Sequence, residues 1–430
     1  MQKTKRVTKQ TVKAAEQRVE NIRTALNDLV RPFSPYTRST VRRRYCDVFR
    51  QISRVAELAS PEVTITLLLD ALSHHEALAN RRGFEEKDDR AIRASIDAAL
   101  ATIISLLPPA SVPRLPSRMM RAVGDNRRGA LSLVVRRLVP YLDAKACARW
   151  NGLLARRPPK KPHPYLVPQQ KDHLVARQLL ARAAKQPDLY AFLERERYGE
   201  CNGRSVLVAQ VYLESGRPVD AMAHLPEPNS GTIEPPFMSL DVEMECPRRR
   251  VVEADIFEAL GDLQTAQMIR HEVFEETLSV PALRAYLKHQ NLSGDFDAED
   301  WAMGVAAAFG DPRRSVRFFC DWGRPDLART RIFDDAVLWD RPDDWGALTS
   351  VDSLCEAEPI AATVVLRALV RFAWKTGDPL YRPLIARWVR KLAVLASRVE
   401  GADMHRQEGL STHAVFLKMM GMMPNGKRQW

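Results

Sequence analysis

Apolar residues recur along this chain at helical spacing. Val12, Ala15, Val19, Ile22, Leu26 and Leu29 alternate three and four apart, which places them on one stripe of a first helix. The run is too short for a free coiled coil and predicts a helix packed against neighbours. Val41, Tyr45, Val48, Ile52 and Val55 predict a second helix, with Arg43, Asp47, Arg50 and Arg54 on another face. Ser60-Pro61-Glu62 predicts the next start: a hydroxyl N-cap, a proline whose φ suits the first helical position, and an acid in the electropositive first turn. Ile92, Ile96, Leu100 and Ile103 predict a further helix ended by Pro108-Pro109, and Ser117 and Asp143 are expected to cap later ones. No stretch sustains a period of two, so no sheet is expected.

Four segments then repeat one layout, a glycine followed five positions later by a small residue, between apolar flanks. They are Gly216 and Ala221, Gly261 and Ala266, Gly310 and Ser315, and Gly323 and Ala328. A glycine ending a helix can take positive φ without a Cβ penalty, and a small residue just inside the next helix lets the two approach. In the second segment Ile256, Phe257 and Leu260 are expected to face inward before the break. Leu263, Ala266, Ile269 and Phe274 are expected to face back after it.

These glycine–alanine pairs, and Gly-Asp at 261–262 and 310–311, resemble the turns of tetratricopeptide repeats. The turn glycines lie 45, 49 and 13 residues apart, so the resemblance implies hairpins of that type in an irregular array, without the steady period of true tetratricopeptides. The predicted class is all-α, an irregular α-solenoid of stacked antiparallel helical hairpins, tetratricopeptide-like in the C-terminal half. The run from Arg249 to Asp300 carries Phe274, Leu278-Ser279, the string Leu283 to Lys288 and an Asp-Phe-Asp at 295–297. It resembles a family of bacterial proteins known only as a domain of unknown function. The resemblance extends from about residue 40 to the end and implies a helical repeat fold and a bacterial source. It brings no activity with it.

Proline marks the expected boundaries. The segment 156–168, RRPPKKPHPYLVP, holds five prolines in thirteen residues and cannot be helical. It is expected to link a basic N-terminal region, 1–155, to a C-terminal repeat region, 169–430, within which 226–247 is a proline-rich loop. The N-terminus lacks the apolar core of a secretory signal, and the longest uncharged apolar stretch, Ala98 to Leu107, is too short for a bilayer. The six cysteines never come closer than 35 positions, which suits neither a disulfide framework nor a CxxC site. A soluble cytoplasmic protein is expected.

Candidate chemistry is sparse. His74-His75-Glu76 lacks an HExxH frame, and adjacent histidines on a helix diverge, so no metal is expected there. His405 and Glu408 share a face and read as a surface ion pair. Asp295, Asp297 and Glu299 begin like a calcium loop, but Asp300 and Ala306 stand where glycine and glutamate are required. One of these aspartates is instead expected to cap a helix starting near Ala298. With no GxGxxG, GxxxxGK[ST] or GxSxG motif, neither an enzyme nor a cofactor is expected.

Charge is uneven. Residues 1–200 hold 38 Lys+Arg against 20 Asp+Glu, and residues 201–430 hold 27 against 33. Arg42-Arg43-Arg44, Arg127-Arg128, Arg136-Arg137 and Arg156 to Lys161 could thus line a polyanion-binding stripe, with Arg43, Arg44, Arg127, Arg128, Arg136 and Arg137 as its contacts. Against that, Asp47 is spaced to neutralise Arg43 and Arg50, and seven of eight tryptophans lie at or after Trp301, in the acidic half, as expected core fillers. The favoured expectation is a non-enzymatic scaffold whose hairpins bind an unidentified protein or peptide. Nucleic-acid binding by the N-terminal half is the alternative, and no membrane contact is expected.

Overall fold

The computed structural model describes residues 9–30, 38–56, 58–77, 86–124, 126, 129–157, 167–198, 205–227, 249–289, 294–334, 347–377, 381–401 and 410–421. Among these the secondary structure is helical throughout, and no strand occurs. The chain divides into two compact units, Met1–Arg249 and Arg250–Trp430.

The first unit is built from α1 (Lys9–Val30), α2 (Arg38–Ala56), α3 (Pro61–Ala77), α4 (Glu86–Leu106), α5 (Leu115–Val123), α6 (Leu131–Leu138), α7 (Ala144–Ala155), α8 (Val167–Ala183), α9 (Pro187–Tyr198), α10 (Val206–Glu214) and α11 (Pro218–His224). Short 3-10 turns precede α5 and follow α6. The stripes read from sequence become the core: Val19, Ile22, Leu26, Tyr45, Val48, Ile52, Ile92, Ile96 and Leu100 are all buried in one cluster. α2 lies against α1, α3 and α4, and from α4 onward the packing runs α4 on α6, α6 and α7 on α8, α8 on α9, α9 on α10. Pro61 opens α3 with the Ser60 hydroxyl accepting from the Val63 amide, and Asp143 accepts from the Ala146 amide at the start of α7. Ser117 differs from expectation. It lies inside α5, which begins at Leu115 without a side-chain cap because the preceding 3-10 turn runs directly into it.

The segment 156–168 therefore joins two helices packed on one another within a single unit, and the division between units falls at Arg249/Arg250. Val167 and Pro168, expected to be non-helical, open α8, where a proline is tolerated in the first turn, and Leu154, Ala176 and Leu180 share one core across that connection. Residues 158–166 and 228–248 lie outside the described residues.

The second unit holds α12 (Arg249–Ala259, which begins at the boundary), α13 (Leu263–Thr277), α14 (Val280–Leu287), α15 (Gly294–Ala308), α16 (Pro312–Trp322), α17 (Pro325–Asp334), α18 (Ala347–Ala357), α19 (Pro359–Thr376), α20 (Arg382–Gly401) and α21 (His413–Met419). Helices here touch neighbours one and two places along the chain: α13 on α14, α14 on α15 and α16, α16 on α17 and α18, α17 and α18 on α19, α19 on α20, α20 on α21. Within a unit this is the contact pattern of an irregular all-α solenoid of helical hairpins. Rings tie successive elements together, with Phe274 5.4 Å from both Trp301 and Phe318 and His271 stacked 4.1 Å from Trp301.

Three of the four glycine turns share a geometry. Gly216, Gly261 and Gly323 have φ of +75°, +88° and +86°. After each, the next amide reaches back five residues: Arg217 to the Tyr212 carbonyl at 3.0 Å, Asp262 to Phe257 at 2.9 Å, Arg324 to Phe319 at 2.7 Å. This is the Schellman closure that satisfies helix-end carbonyls. Gly310 is different, lying outside the left-handed region. There Asp311 accepts from the Arg313 amide at 3.0 Å and Pro312 opens α16, so capping makes the turn. Ala221, Ala266, Ser315 and Ala328 are all fully buried.

Two local expectations are corrected. Leu260 and Leu263 do not face inward; they are 44% and 49% exposed, because they flank Gly261 at the hairpin tip, beyond the seam where Ile256, Ala266, Ile269 and Phe274 are buried. The helix expected near Ala298 begins at Gly294, so Asp297 lies in its first turn, where the helix dipole favours negative charge without a cap.

Candidate functional site

Three arginines of the first unit, Arg93, Arg136 and Arg137, lie about two carboxylates, Asp97 and Asp172. Arg93 and Asp97 lie one turn apart on α4, and Arg136 and Arg137 follow each other on α6. Arg137 forks onto Asp97, its Nε 2.7 Å from one carboxylate oxygen, and this hydrogen bond holds the guanidinium pKa above its ordinary value. Arg136 is half-buried, and burial lowers its pKa, with Asp97 acting in the opposite sense. Asp172, on α8, is buried and accepts from Asn126 Nδ2 at 2.8 Å, from the Ser132 amide at 3.2 Å and from the Ser132 hydroxyl. Arg93 stands 3.6 Å away.

Asn126 in turn accepts from the Leu131 amide at 3.0 Å. The free amides at the start of α6 are thus capped by a loop asparagine and by a carboxylate from another helix. Glycine suits position 129 because its φ is +64°, a left-handed conformation that L side chains rarely adopt. This assembly is a joint between α4, α6 and α8. Its cations are directed at its own carboxylates, which leaves little for a phosphate backbone.

Of the six arginines proposed for a polyanion stripe, Arg136 and Arg137 belong to this joint. Arg43 and Arg44 are exposed on α2, and Arg127 and Arg128 lie outside the described residues. The structure does not bring Arg43 and Arg44 into any contact with the α6 pair. His75 is buried in the core edge-on to Tyr45, and His74 has its pKa lowered by burial. Among the described residues no group of three or more His, Cys, Asp or Glu side chains could hold a metal. His405 and Glu408 lie outside the described residues, as do Trp339, Trp345 and Trp430.

In the second unit Glu258 gathers two cations and an imidazole. Arg270, itself 6% exposed, bonds both Glu258 and Asp255, while Lys288 and His289 approach the same carboxylate. Burial works to raise the Glu258 pKa, but the Arg270 hydrogen bond and the nearby positive charges outweigh it and hold the carboxyl below its ordinary value. The cluster fastens α12 to α13 and to the end of α14. Its polar groups are engaged with one another across the three helices.

Sequence reasoning missed one exposed apolar face. On α21, Phe416 and Leu417 are buried while Val415 and Met419, one turn apart, are 47% and 71% exposed. The HAVFLKM stretch is too short for a periodic stripe to stand out from the sequence.

No helix among the described residues is long and apolar enough to cross a membrane. No curated protein matches the chain in sequence. A solved structure described as a circular tandem repeat protein with novel repeat topology and enhanced subunit contact surfaces is similar over 95% of this chain and 89% of its own, at 14% identity and a TM-score of 0.17. The model of a family of unknown function, DUF6880, matches residues 13–427. The chain belongs to that family.

Proposed function

We propose that this protein is a non-enzymatic helical scaffold that binds another protein or peptide. The observation that carries the reading is α21, which buries one apolar face in the second unit and presents Val415 and Met419 on another. A short helix seated on its unit by Phe416 can receive a partner on its outer side without rearrangement. The polar clusters support the same reading, because they join helix to helix. Free thiols at Cys46, Cys147, Cys320 and Cys355 favour a cytoplasmic setting. Polyanion binding would fall to the exposed Arg43 and Arg44, since Arg137 is engaged with Asp97.

The test is affinity purification of the full chain from its native cell, beside a Val415→Glu/Met419→Glu variant. Both positions are exposed, so the variant keeps its stability within about 0.5 kcal/mol. A stoichiometric protein recovered by the native chain and lost by the variant supports the reading. Recovery of no stoichiometric protein overturns it.

A further inference from the structure

The second unit buries a guanidinium that pairs with no carboxylate among the described residues. Arg367 lies in the middle of α19 and is 6% exposed. Its Nε has no hydrogen-bond partner, and its Nη1 makes only a 3.5 Å contact to the Ser411 hydroxyl. No ion pair joins Arg367 to a carboxylate among the described residues. Glu400, the acid that acts on it, does so only at longer range, and its Oε1 accepts from the His413 backbone amide.

His413 faces the same place. Both of its ring nitrogens are buried and without partners. Arg371, one turn after Arg367, is exposed, and the two guanidiniums lie 5.8 and 5.0 Å from the Phe416 ring. The layout is graded from the outside in: an exposed arginine at the rim, a buried arginine whose Nε is unpartnered, and an imidazole with unpartnered nitrogens close enough to feel its charge.

Contact with an aromatic face offsets part of the charge, but it satisfies no N–H donor. A guanidinium carries five donors in a planar fork suited to carboxylate and phosphate oxygens. A cation withdrawn from water without a counter-ion is unfavourable, and folded proteins ordinarily pair it. We infer that Arg367, Arg371 and His413 form a binding site for a small oxyanion, a phosphate or a carboxylate, which supplies the missing counter-charge. The site does not depend on the partner-binding face of α21, because Val415 and Met419 take no part in it.

The test uses the full chain in chloride buffer of fixed ionic strength, with inorganic phosphate or acetate replacing part of the chloride. Phosphate at about ten times its Kd is expected to raise the Tm of the second unit by about 3 °C. An acetate response would show that the site also accepts carboxylates. Arg367→Met removes the buried charge while keeping the packing volume. It is expected to leave Tm in chloride unchanged or raised and to abolish the response to both anions.

No response to either anion in the native chain overturns the proposal, as does a response that Arg367→Met retains. If Arg367→Met fails to fold, Arg371→Gln at the exposed rim reads the same site. A Kd for phosphate weakened by about fivefold or more supports the proposal, and an unchanged Kd overturns it.

Discussion

Asp172 in the first unit and Arg367 in the second are each 6% exposed, yet their surroundings are opposite. Asp172 accepts from a side-chain amide, a backbone amide and a hydroxyl, with Arg93 close by. Arg367 has one long contact to a hydroxyl and the face of a phenylalanine. A buried charge that is fully matched acts as a fastener, here holding α8 against the start of α6. A buried charge left under-matched is the basis of the oxyanion site proposed above. The first unit thus spends its buried polar groups on internal joints. The second relies more on ring packing and Schellman turns at Gly261 and Gly323, and its Arg367 pairs with no carboxylate among the described residues.

The largest effect expected from this comparison is at Asp172. Asp172→Ala removes the acceptor shared by Asn126, Ser132 and Arg93 and should destabilise the first unit by about 3–5 kcal/mol in urea unfolding. A loss under about 1 kcal/mol would mean that the joint is ornamental and that the two buried charges are equivalent.

The neighbouring His173 sharpens the contrast through pH. Burial, helped by Arg177, pushes its pKa down from 6.5 to about 4. Between these values the unfolded chain binds more protons than the folded one, so stability rises with pH across that window. The contribution is complete above pH 6.5 and is lost as pH falls toward 4, to a limit of about 3 kcal/mol. His173→Gln should flatten the stability profile of the first unit between pH 4 and 6.5 relative to the native chain. Parallel profiles would contradict a neutral, buried imidazole.

In the second unit the sensitive points are steric. Ala266→Leu overfills a fully buried position and should cost about 1–3 kcal/mol, read as a lowered Tm; an unchanged transition would place the α12–α13 seam elsewhere. The smallest effect separates two glycines thirteen positions apart. Gly323→Ala forces a Cβ into φ of +86° and should cost about 1–2 kcal/mol. Gly310→Ala should fall within about 0.5 kcal/mol, because the backbone there is not left-handed and nothing lies within 4 Å of the added carbon. Equal costs would show that the four turns are one motif after all.

Those turns show how far local pattern reaches. Gly216, Gly261, Gly310 and Gly323 look alike in sequence, but only three adopt positive φ, since Asp311 and Pro312 offer a capping route at the fourth. The small residue five positions on is buried in every case. The proline-dense segment 156–168 was expected to be non-helical, yet Val167 and Pro168 open a helix, and whether the segment separated two bodies depended on Leu154, Ala176 and Leu180 sharing a core. Of the basic pairs, nothing in the string distinguished Arg137, which pairs with Asp97 forty residues away, from the exposed Arg43 and Arg44.

Helix formation is a short-range matter of apolar period, caps and breakers, so the residue order alone set the all-α class and the positions of most helices. The environment of a charge depends on which distant helices meet around it. That is why only the packed chain could provide Asp172 with its donors and leave the side chains of Arg367 and His413 without a carboxylate partner among the described residues.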